Sequence, residues 1–457
     1  MKPLTPQTLA SWSGGTLVQD VPGAMISTVS TDTRAMPKGA LFIALAGEKF
    51  DAHDFLLQAV QAGAAALMVS REMPYPEGVA VVRVPDTLAG LQRLATTWRR
   101  DWGGLVVGLT GSNGKTSSKD FTSAILSRVI RINATKGNLN NHIGLPLTML
   151  ATGPEHELAV CEMGMNHPAE IAPLAAIASP DVAIITNVGT AHIENMGSRE
   201  AIALEKGMLA EAVHANGCVV LNAGDDFAPS IAKRCKAKVL TAGIDAGEVC
   251  VSGFTPDGAG SRFTLTLPDG QYASVFLPVP GLHMAGNAAL AAAAAWHLGI
   301  GIGEIAAGLE CSSLTKGRLQ FRRIAGLNIL DDTYNCSPDS ARAALDTLAS
   351  LACAGRRIAV LGRMAELGDH ARECHLFTGR HAFGCGIDLL CTVGTNDAPL
   401  IGEGFVAAGG NAAAVHSFSE AASCATFLRT STTPQDIILV KGSRSSAMEK
   451  VIEYLAA

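Results

Sequence analysis

The sequence predicts an α/β protein of three domains. These are a small N-terminal α/β unit, a central parallel sheet with helices on both faces plus a small antiparallel subsheet, and a C-terminal Rossmann-like α/β unit. Three observations lead there. A chain of 457 residues is too long for one compact core and fits two to four domains. Short apolar runs of strand length alternate with longer amphipathic stretches, the pattern of parallel sheets wrapped by helices. One apolar run, Leu105-Val-Val-Gly-Leu109, breaks into the glycine turn Thr110-Gly-Ser-Asn-Gly-Lys-Thr116 and then a helical stretch over 117–128. Strand, turn and helix in that order place a phosphate-binding loop at the carboxyl edge of a sheet.

Each element can be justified in turn. Apolar runs at 40–45, 64–69 and 79–84 alternate with helical stretches such as 54–62, and an amphipathic helix over 87–100 closes a first domain, 1–100. Asp101-Trp-Gly-Gly104 leads directly into the phosphate-loop strand. In a second domain, 101–314, strands at 157–161, 182–186, 218–221 and 238–241 alternate with helices, among them 198–212. The pattern changes near 249, where runs at 249–254, 261–267 and 272–277 separated by Pro-Asp-Gly turns read as an antiparallel meander. An alanine-rich helix over 285–298 has side chains small enough for close packing. After Lys316-Gly-Arg318, strands at 327–330, 357–361, 389–393 and 436–440 define a third domain, 315–457. There is no internal repeat or low-complexity tract.

Composition narrows the function. Hydrophobic residues make up 48% and charged ones 17%, a globular balance. The net charge of −6, from 35 basic and 41 acidic residues, argues against a nucleic acid partner held by bulk electrostatics. The N-terminal Met1-Lys-Pro-Leu-Thr-Pro6 lacks a signal-peptide pattern, and no apolar run is long enough to span a bilayer, so a cytoplasmic protein without membrane insertion is expected. Eleven cysteines, none before Cys161 and none in a C-x-x-C pair, suit a reducing compartment. Their spacing fits neither a disulfide framework nor a zinc site, and most are expected to be buried small hydrophobes.

Several clusters carry chemistry. Gly111 and Gly114 let backbone N–H groups, including those of Ser112 and Asn113, turn toward phosphate oxygens; Lys115 neutralises the terminal phosphates and Thr116 offers a hydroxyl to Mg²⁺. The spacing G-x-x-G-K-T is shorter than the standard motif, and without its context it would be a glycine turn beside a lysine. Val160-Cys-Glu-Met-Gly-Met-Asn-His167 delivers Glu162 to the end of a strand, where it is either a Mg²⁺ ligand or a surface carboxylate. Ile184-Ile-Thr-Asn-Val-Gly-Thr-Ala-His192 brings Asn187 and His192 to the same edge. Lys206, on the 198–212 helix, reads by itself as a solvated lysine. The amides of Lys136-Gly-Asn-Leu-Asn-Asn-His-Ile-Gly144 suit recognition of a polar substrate, or form plain Asn-rich turns. Leu330-Asp-Asp-Thr-Tyr-Asn-Cys-Ser-Pro338 could bind a ribose or base, or simply start a helix. Leu439-Val-Lys-Gly-Ser-Arg-Ser-Ser446 is a second strand-to-glycine-loop with two cations that could grip an anion.

Together these stretches resemble the Mur ligase family, the ATP-dependent amide-bond formers of bacterial cell wall synthesis, and the resemblance extends along the whole chain. Its short phosphate loop looks like Thr110-Gly-Ser-Asn-Gly-Lys-Thr116. Four further stretches are similar to the member that adds D-alanyl-D-alanine to UDP-N-acetylmuramoyl-tripeptide, giving the pentapeptide precursor of peptidoglycan. They are Ser30-Thr-Asp-Thr-Arg34, the run from Leu41-Phe-Ile to His53-Asp-Phe55, Gly137-Asn-Leu-Asn-Asn-His-Ile-Gly-Leu-Pro146 and Val440-Lys-Gly-Ser-Arg-Ser445.

The resemblance implies an N-terminal domain for the UDP-sugar, a central ATPase, and a C-terminal domain that completes the ATP site and receives the dipeptide. It implies that Lys115, Thr116, Glu162 and His192 serve triphosphate and two Mg²⁺ ions, and that Lys206 is carbamylated to bind the second. Asn287, Arg318, Asp332 and Asn335 would contact ATP. Thr31, Asp32, Thr33 and Arg34, with Gly47, Glu48, Asp51 and His53, would form the uridine diphosphate site, and Asn138, Asn140 and Asn141 would lie nearer the peptide. A monomer is the family habit. The implied chemistry is phosphorylation of the tripeptide carboxylate followed by attack of the dipeptide amine, with Lys115, His192 and Lys206 as catalytic groups. The alternatives are a sibling ligase adding a single amino acid and an NTP-binding switch without ligase activity. Two departures stand out. Asp331-Asp332 replaces an expected Asn-Asp, which Asp332 makes tolerable, and Gly362-Arg-Met364 replaces Gly-Asp-Met, so that Arg363 puts a cation near the expected dipeptide pocket.

Overall fold

The computed structural model describes residues 1–47 and 50–457. They form three sheets, of five, nine and six strands. In the first, Val29–Ser30, Leu41–Ile43, Ala66–Val69 and Ala80–Arg83 run parallel, and Thr16–Gln19 closes one edge antiparallel. The helix Thr87–Trp102 follows. Asp86 caps its N-terminus by accepting from the Ala89 N–H, and Gly103, at φ 70°, ends it. Its buried Arg99 donates to the carbonyls of Ala178 and Ser179 at the end of the helix Ile171–Ala178, and Trp98 donates to the Thr152 carbonyl, so this helix is bolted to the central unit.

The nine-stranded sheet has the phosphate-loop strand Leu105–Thr110 between Leu158–Glu162 and Val182–Ile185, with Cys218–Asn222 and Lys238–Ile244 beyond the latter. These strands are parallel and nearly continuously buried, as expected of a sheet covered on both faces. The meander is present and is continuous with this sheet. Val249–Asp257 still runs parallel to Lys238–Ile244, and antiparallel pairing begins only with Gly260–Thr266 and Tyr272–Leu277. The alanine-rich helix, Leu282–His297, packs against the phosphate-loop helix Lys115–Leu126, and its residues Ala288 to Ala295 are all buried.

In the six-stranded sheet Leu327–Asp332, Ile437–Lys441, Arg357–Gly362, Leu389–Val393 and Val415–Phe418 are parallel. A hairpin partner, Gln320–Ile324, adds an antiparallel edge that the alternation of residues had not suggested. Its two arginines, Arg322 and Arg323, are exposed and break the apolar signal. Apolar packing is continuous across the units. One cluster joins Val107, Leu109 and the alanine helix to Leu330, Leu345 and Leu439 of the third sheet, and another joins Leu41 and Met68 of the first to Met149, Ala183 and Ile185 of the second.

Candidate active site

The carboxyl ends of the central and C-terminal sheets face one another across a cleft of about 1180 Å³. On the central side the loop between Leu105–Thr110 and Lys115–Leu126 is held from beneath by the next strand's exit. The Ser112 N–H donates to the Asn187 carbonyl at 2.9 Å, the Asn113 N–H to Asn187 Oδ1 at 2.9 Å, and Thr186 Oγ1 donates to the Asn113 carbonyl at 2.5 Å. Gly111 is required here: at φ 153° it passes so close to that strand that a Cβ would lie 1.8 Å from Thr186 Oγ1. Gly114 takes φ 80° at the helix N-cap, beside the Asn287 side chain. The helix N-terminus therefore points its free N–H groups and Lys115 into the cleft.

Lys115 folds back, its Nζ donating to the Gly111 carbonyl at 2.6 Å. Burial lowers its pKa, while Glu162 opposes the shift. Thr116 Oγ1 accepts from Arg318 at 3.3 Å, and the Arg318 guanidinium lies 4.1 Å over the Tyr334 ring. Glu162 ends its strand with its N–H donating to Thr135 Oγ1 and its Oε1 accepting from Asn140 Nδ2 at 2.9 Å. Its Oε2 is buried without a hydrogen-bond partner. A buried carboxylate oxygen left over, in the same cleft as the Thr116 hydroxyl and the glycine loop, is a donor set that fits a hard divalent cation. His192 sits at φ 64° with Nδ1 2.5 Å from Glu366 of the C-terminal unit. That approach holds the Glu366 carboxyl below its ordinary value, although His192 Nδ1 makes no hydrogen bond of good geometry.

From the opposite side come Asp332, at the end of Leu327–Asp332, and Lys441, at the end of the adjacent parallel strand. Their side chains are buried and 2.5 Å apart. Lys441 also donates to the Asn335 carbonyl, and Asp332 Oδ1 accepts from the Leu319 N–H. Burial depresses the pKa of the neighbouring His283 to about 4. Asp331 points to the other face, accepting from Thr333 Oγ1 and Arg322, which explains why an acid stands there. Besides Arg318 to Thr116 and His192 to Glu366, two further contacts stitch the sides together: the Thr190 N–H donates to Asp339 at 3.0 Å, and Ser337 Oγ donates to Asn113 Oδ1 at 2.8 Å.

The residues expected to act on nucleotide and peptide thus gather in one place. Ser112, Asn113, Gly114, Lys115, Thr116, Glu162, His192, Asn287, Arg318, Asp332 and Asn335 line the cleft, as do Asn138, Asn140 and Asn141. Lys206 departs from its reading as a solvated lysine. It is 1% exposed on the helix Arg199–Ala212, because that face packs onto the sheet and the helix Ile171–Ala178. Burial first, then the charge of Lys115, puts its pKa well below the ordinary lysine value.

The N-terminal residues do not reach this cleft. Asp32 caps Thr33–Ala35 and pairs with exposed Arg34, while Thr31 follows Val29–Ser30 and Gly47 follows the paired strand Leu41–Ile43. Asp51 accepts from buried His53, which in turn accepts from the Ser70 N–H, and Arg71 pairs with Asp51. Glu48 lies outside the described residues. Arg363 lines a separate cavity of about 510 Å³, with its Nε 3.8 Å from Asp397. Of the cysteines, five are buried, five half-buried and Cys311 is exposed. Sequence reasoning passed over Glu366, His283, Tyr334 and Asp339. Glu366 had a detectable signal, standing a few residues past the end of Arg357–Gly362, and Asp339 lies in the first turn of the helix Pro338–Ser350.

Comparison with known proteins follows the same division of the chain. The Mur ligase family catalytic domain matches residues 25–99, the Mur ligase middle domain 109–295, and the Mur ligase glutamate ligase domain 317–444. The UDP-N-acetylmuramoyl-tripeptide--D-alanyl-D-alanine ligase of Bacillus subtilis (strain 168) is 37% identical over 454 residues, covering 99% of this chain and 98% of that protein. A crystal structure of MurF from Acinetobacter baumannii superposes with a TM-score of 0.90 at 33% identity, covering 100% of this chain and 99% of the other. MurF ligase from Thermotoga maritima in complex with ADP superposes with a TM-score of 0.83 at 27% identity, covering 94% and 97%.

Proposed function

This chain belongs to the Mur ligase family, and on that premise we propose that it joins D-alanyl-D-alanine to UDP-N-acetylmuramoyl-tripeptide, with ATP converted to ADP and phosphate. The observation that carries the reading is the opposition, in one cleft, of a phosphate loop with a spare buried carboxylate oxygen and a second sheet edge bearing Asp332 and Lys441. The domains would divide the work as 1–100 for the UDP-sugar, 101–314 for ATP and 315–457 for completing the ATP site and presenting the dipeptide.

In the first step the tripeptide carboxylate attacks the γ-phosphorus, the bond to the β-phosphate oxygen breaks, and an acyl phosphate forms. Lys115 and the loop N–H groups stabilise charge on the transferring group. Thr116, Glu162 and His192 would hold Mg²⁺, which when bound supplies Lewis-acid polarisation of the phosphates. Burial of Lys206 lowers its pKa and so favours the free amine, the form in which a lysine can take up carbon dioxide as a carbamate and serve a second ion. Asn287 and Arg318, with Asp332 and Asn335, would frame the nucleotide.

In the second step the dipeptide amine attacks the acyl carbon and phosphate leaves from the tetrahedral intermediate. With Glu366 beside its Nδ1, His192 has one nitrogen left, so the base that removes the amine proton is either that nitrogen when it is not holding Mg²⁺ or a substrate-bound water. Thr190 with Asp339 and Ser337 with Asn113 close the cleft and keep water from the acyl phosphate.

The test is phosphate release from ATP and Mg²⁺ with UDP-N-acetylmuramoyl-tripeptide, with and without D-alanyl-D-alanine or single amino acids. Release only with the dipeptide is expected. Release with a single amino acid would make the chain a sibling ligase, and release regardless of either would make it an NTPase.

A further inference from the structure

On the outer side of the C-terminal unit, the helices Pro338–Ser350 and Ala371–Gly384 pack together. His381 and Cys385 are four residues apart and so share one face of the second helix and its cap. Asp346 faces them from the first: His381 Nε2 lies 2.7 Å and Cys385 Sγ 3.5 Å from Asp346 Oδ1. One donor atom from each of the three lies within 4.8 Å of the others. Asp346 has no lysine or arginine partner among the described residues, and Phe377, stacked 6.3 Å away, restricts the His381 ring.

We propose that Asp346, His381 and Cys385 form a binding site for a thiophilic divalent cation of the zinc class, distinct from the oxygen-rich cleft that would hold Mg²⁺. One nitrogen, one sulfur and one oxygen make a three-ligand set that leaves a fourth, solvent-facing position of a tetrahedron open. Around such an ion the donors stand roughly 3.3–3.8 Å apart, a spacing reached from the present one by small side-chain rotations. Without an ion the thiol is protonated and donates to Asp346, as burial and that carboxylate push it up to about 12. The ion would displace the thiol proton, bind neutral imidazole through Nε2 and replace two hydrogen bonds by three bonds spanning two helices. Sequence spacing hid the site because Asp346 is far from the other two in the chain.

The experiment titrates Co²⁺ into the metal-free full-length protein and reads the thiolate-to-cobalt charge-transfer band. Saturation at about one ion per chain, with the band lost in Cys385→Ser, weakened in His381→Ala and in Asp346→Asn, and bleached by Zn²⁺, is expected. Cys311→Ser, which alters the exposed cysteine, should leave the band unchanged. Co²⁺ held by oxygen ligands in the cleft gives no such band, so the two sites are read separately. Circular dichroism and ATP-dependent phosphate release of Cys385→Ser should match wild type, showing that the variant is folded. A wild-type titration without the band, one that never saturates, or a band that persists in Cys385→Ser would overturn the proposal.

Discussion

Replacing Lys206 by methionine should make the protein more stable at neutral pH while abolishing turnover. Lys206 is fully enclosed, and among the described residues its Nζ makes neither a hydrogen bond nor a carboxylate contact. Its folded pKa is lowered, so between that value and the ordinary one near 10.4 the unfolded chain binds a proton that the folded chain does not. Stability then rises with pH by about 1.4 kcal/mol per unit across that window. At pH 7 the penalty is at most about 4.6 kcal/mol, the cost of deprotonating an ordinary lysine there, and at pH 9 at most about 1.9 kcal/mol. Methionine has similar volume and carries no such cost, so Lys206→Met should gain up to those amounts. The assay is paired urea unfolding of wild type and variant at pH 7, 8 and 9 in carbon-dioxide-free buffer. A gain that is the same at pH 7 and pH 9, or a loss of stability, would refute the argument, because either would mean that Lys206 is a paired ammonium in the folded chain.

Lys441→Met should cost about 3–5 kcal/mol by leaving Asp332 buried with an uncompensated charge, and a double variant with Asp332→Asn should recover most of the loss in a thermal melt. Gly111→Ala places a methyl group on Thr186 Oγ1 at a φ that alanine resists, and should lower stability by roughly 1–3 kcal/mol and eliminate nucleotide binding, measured by calorimetry. His192→Gln should reduce kcat by about 10²-fold or more with an unchanged melting temperature, and Glu366→Gln should reduce it by less, since it only releases the ring.

Much of this site was legible because parallel strands deliver their last residues to one edge. Glu162, Asn187 and His192 follow apolar runs, and order along the chain suffices to place them. What escaped depended on partners far away in sequence. Lys206 resembles any helix-face lysine until the sheet and the helix Ile171–Ala178 cover it. Asp332 and Lys441 are separated by more than a hundred residues, and only the pairing of their strands makes them one buried ion pair. The edge strand Gln320–Ile324 is hidden by its two exposed arginines, and Val249–Asp257 opens the antiparallel meander while its other edge extends the parallel sheet. The described residues expected to take the uridine diphosphate lie in N-terminal turns apart from the cleft.

The apolar cluster that runs unbroken from the central sheet into the C-terminal one has a mechanical consequence. It binds the two units as a spine binds a book, while the contacts at the cleft, Thr190 to Asp339, Ser337 to Asn113, His192 to Glu366 and Arg318 to Thr116, are mostly polar, with Ile193 adding a small apolar contact to Met364 and Leu367. Opening the fore-edge is therefore far easier than parting the spine, and the movement available is a swing about Leu330, Leu345 and the alanine helix. Shaving Leu330 or Leu345 from that fulcrum should change how readily the pages turn, although neither side chain lines the cleft.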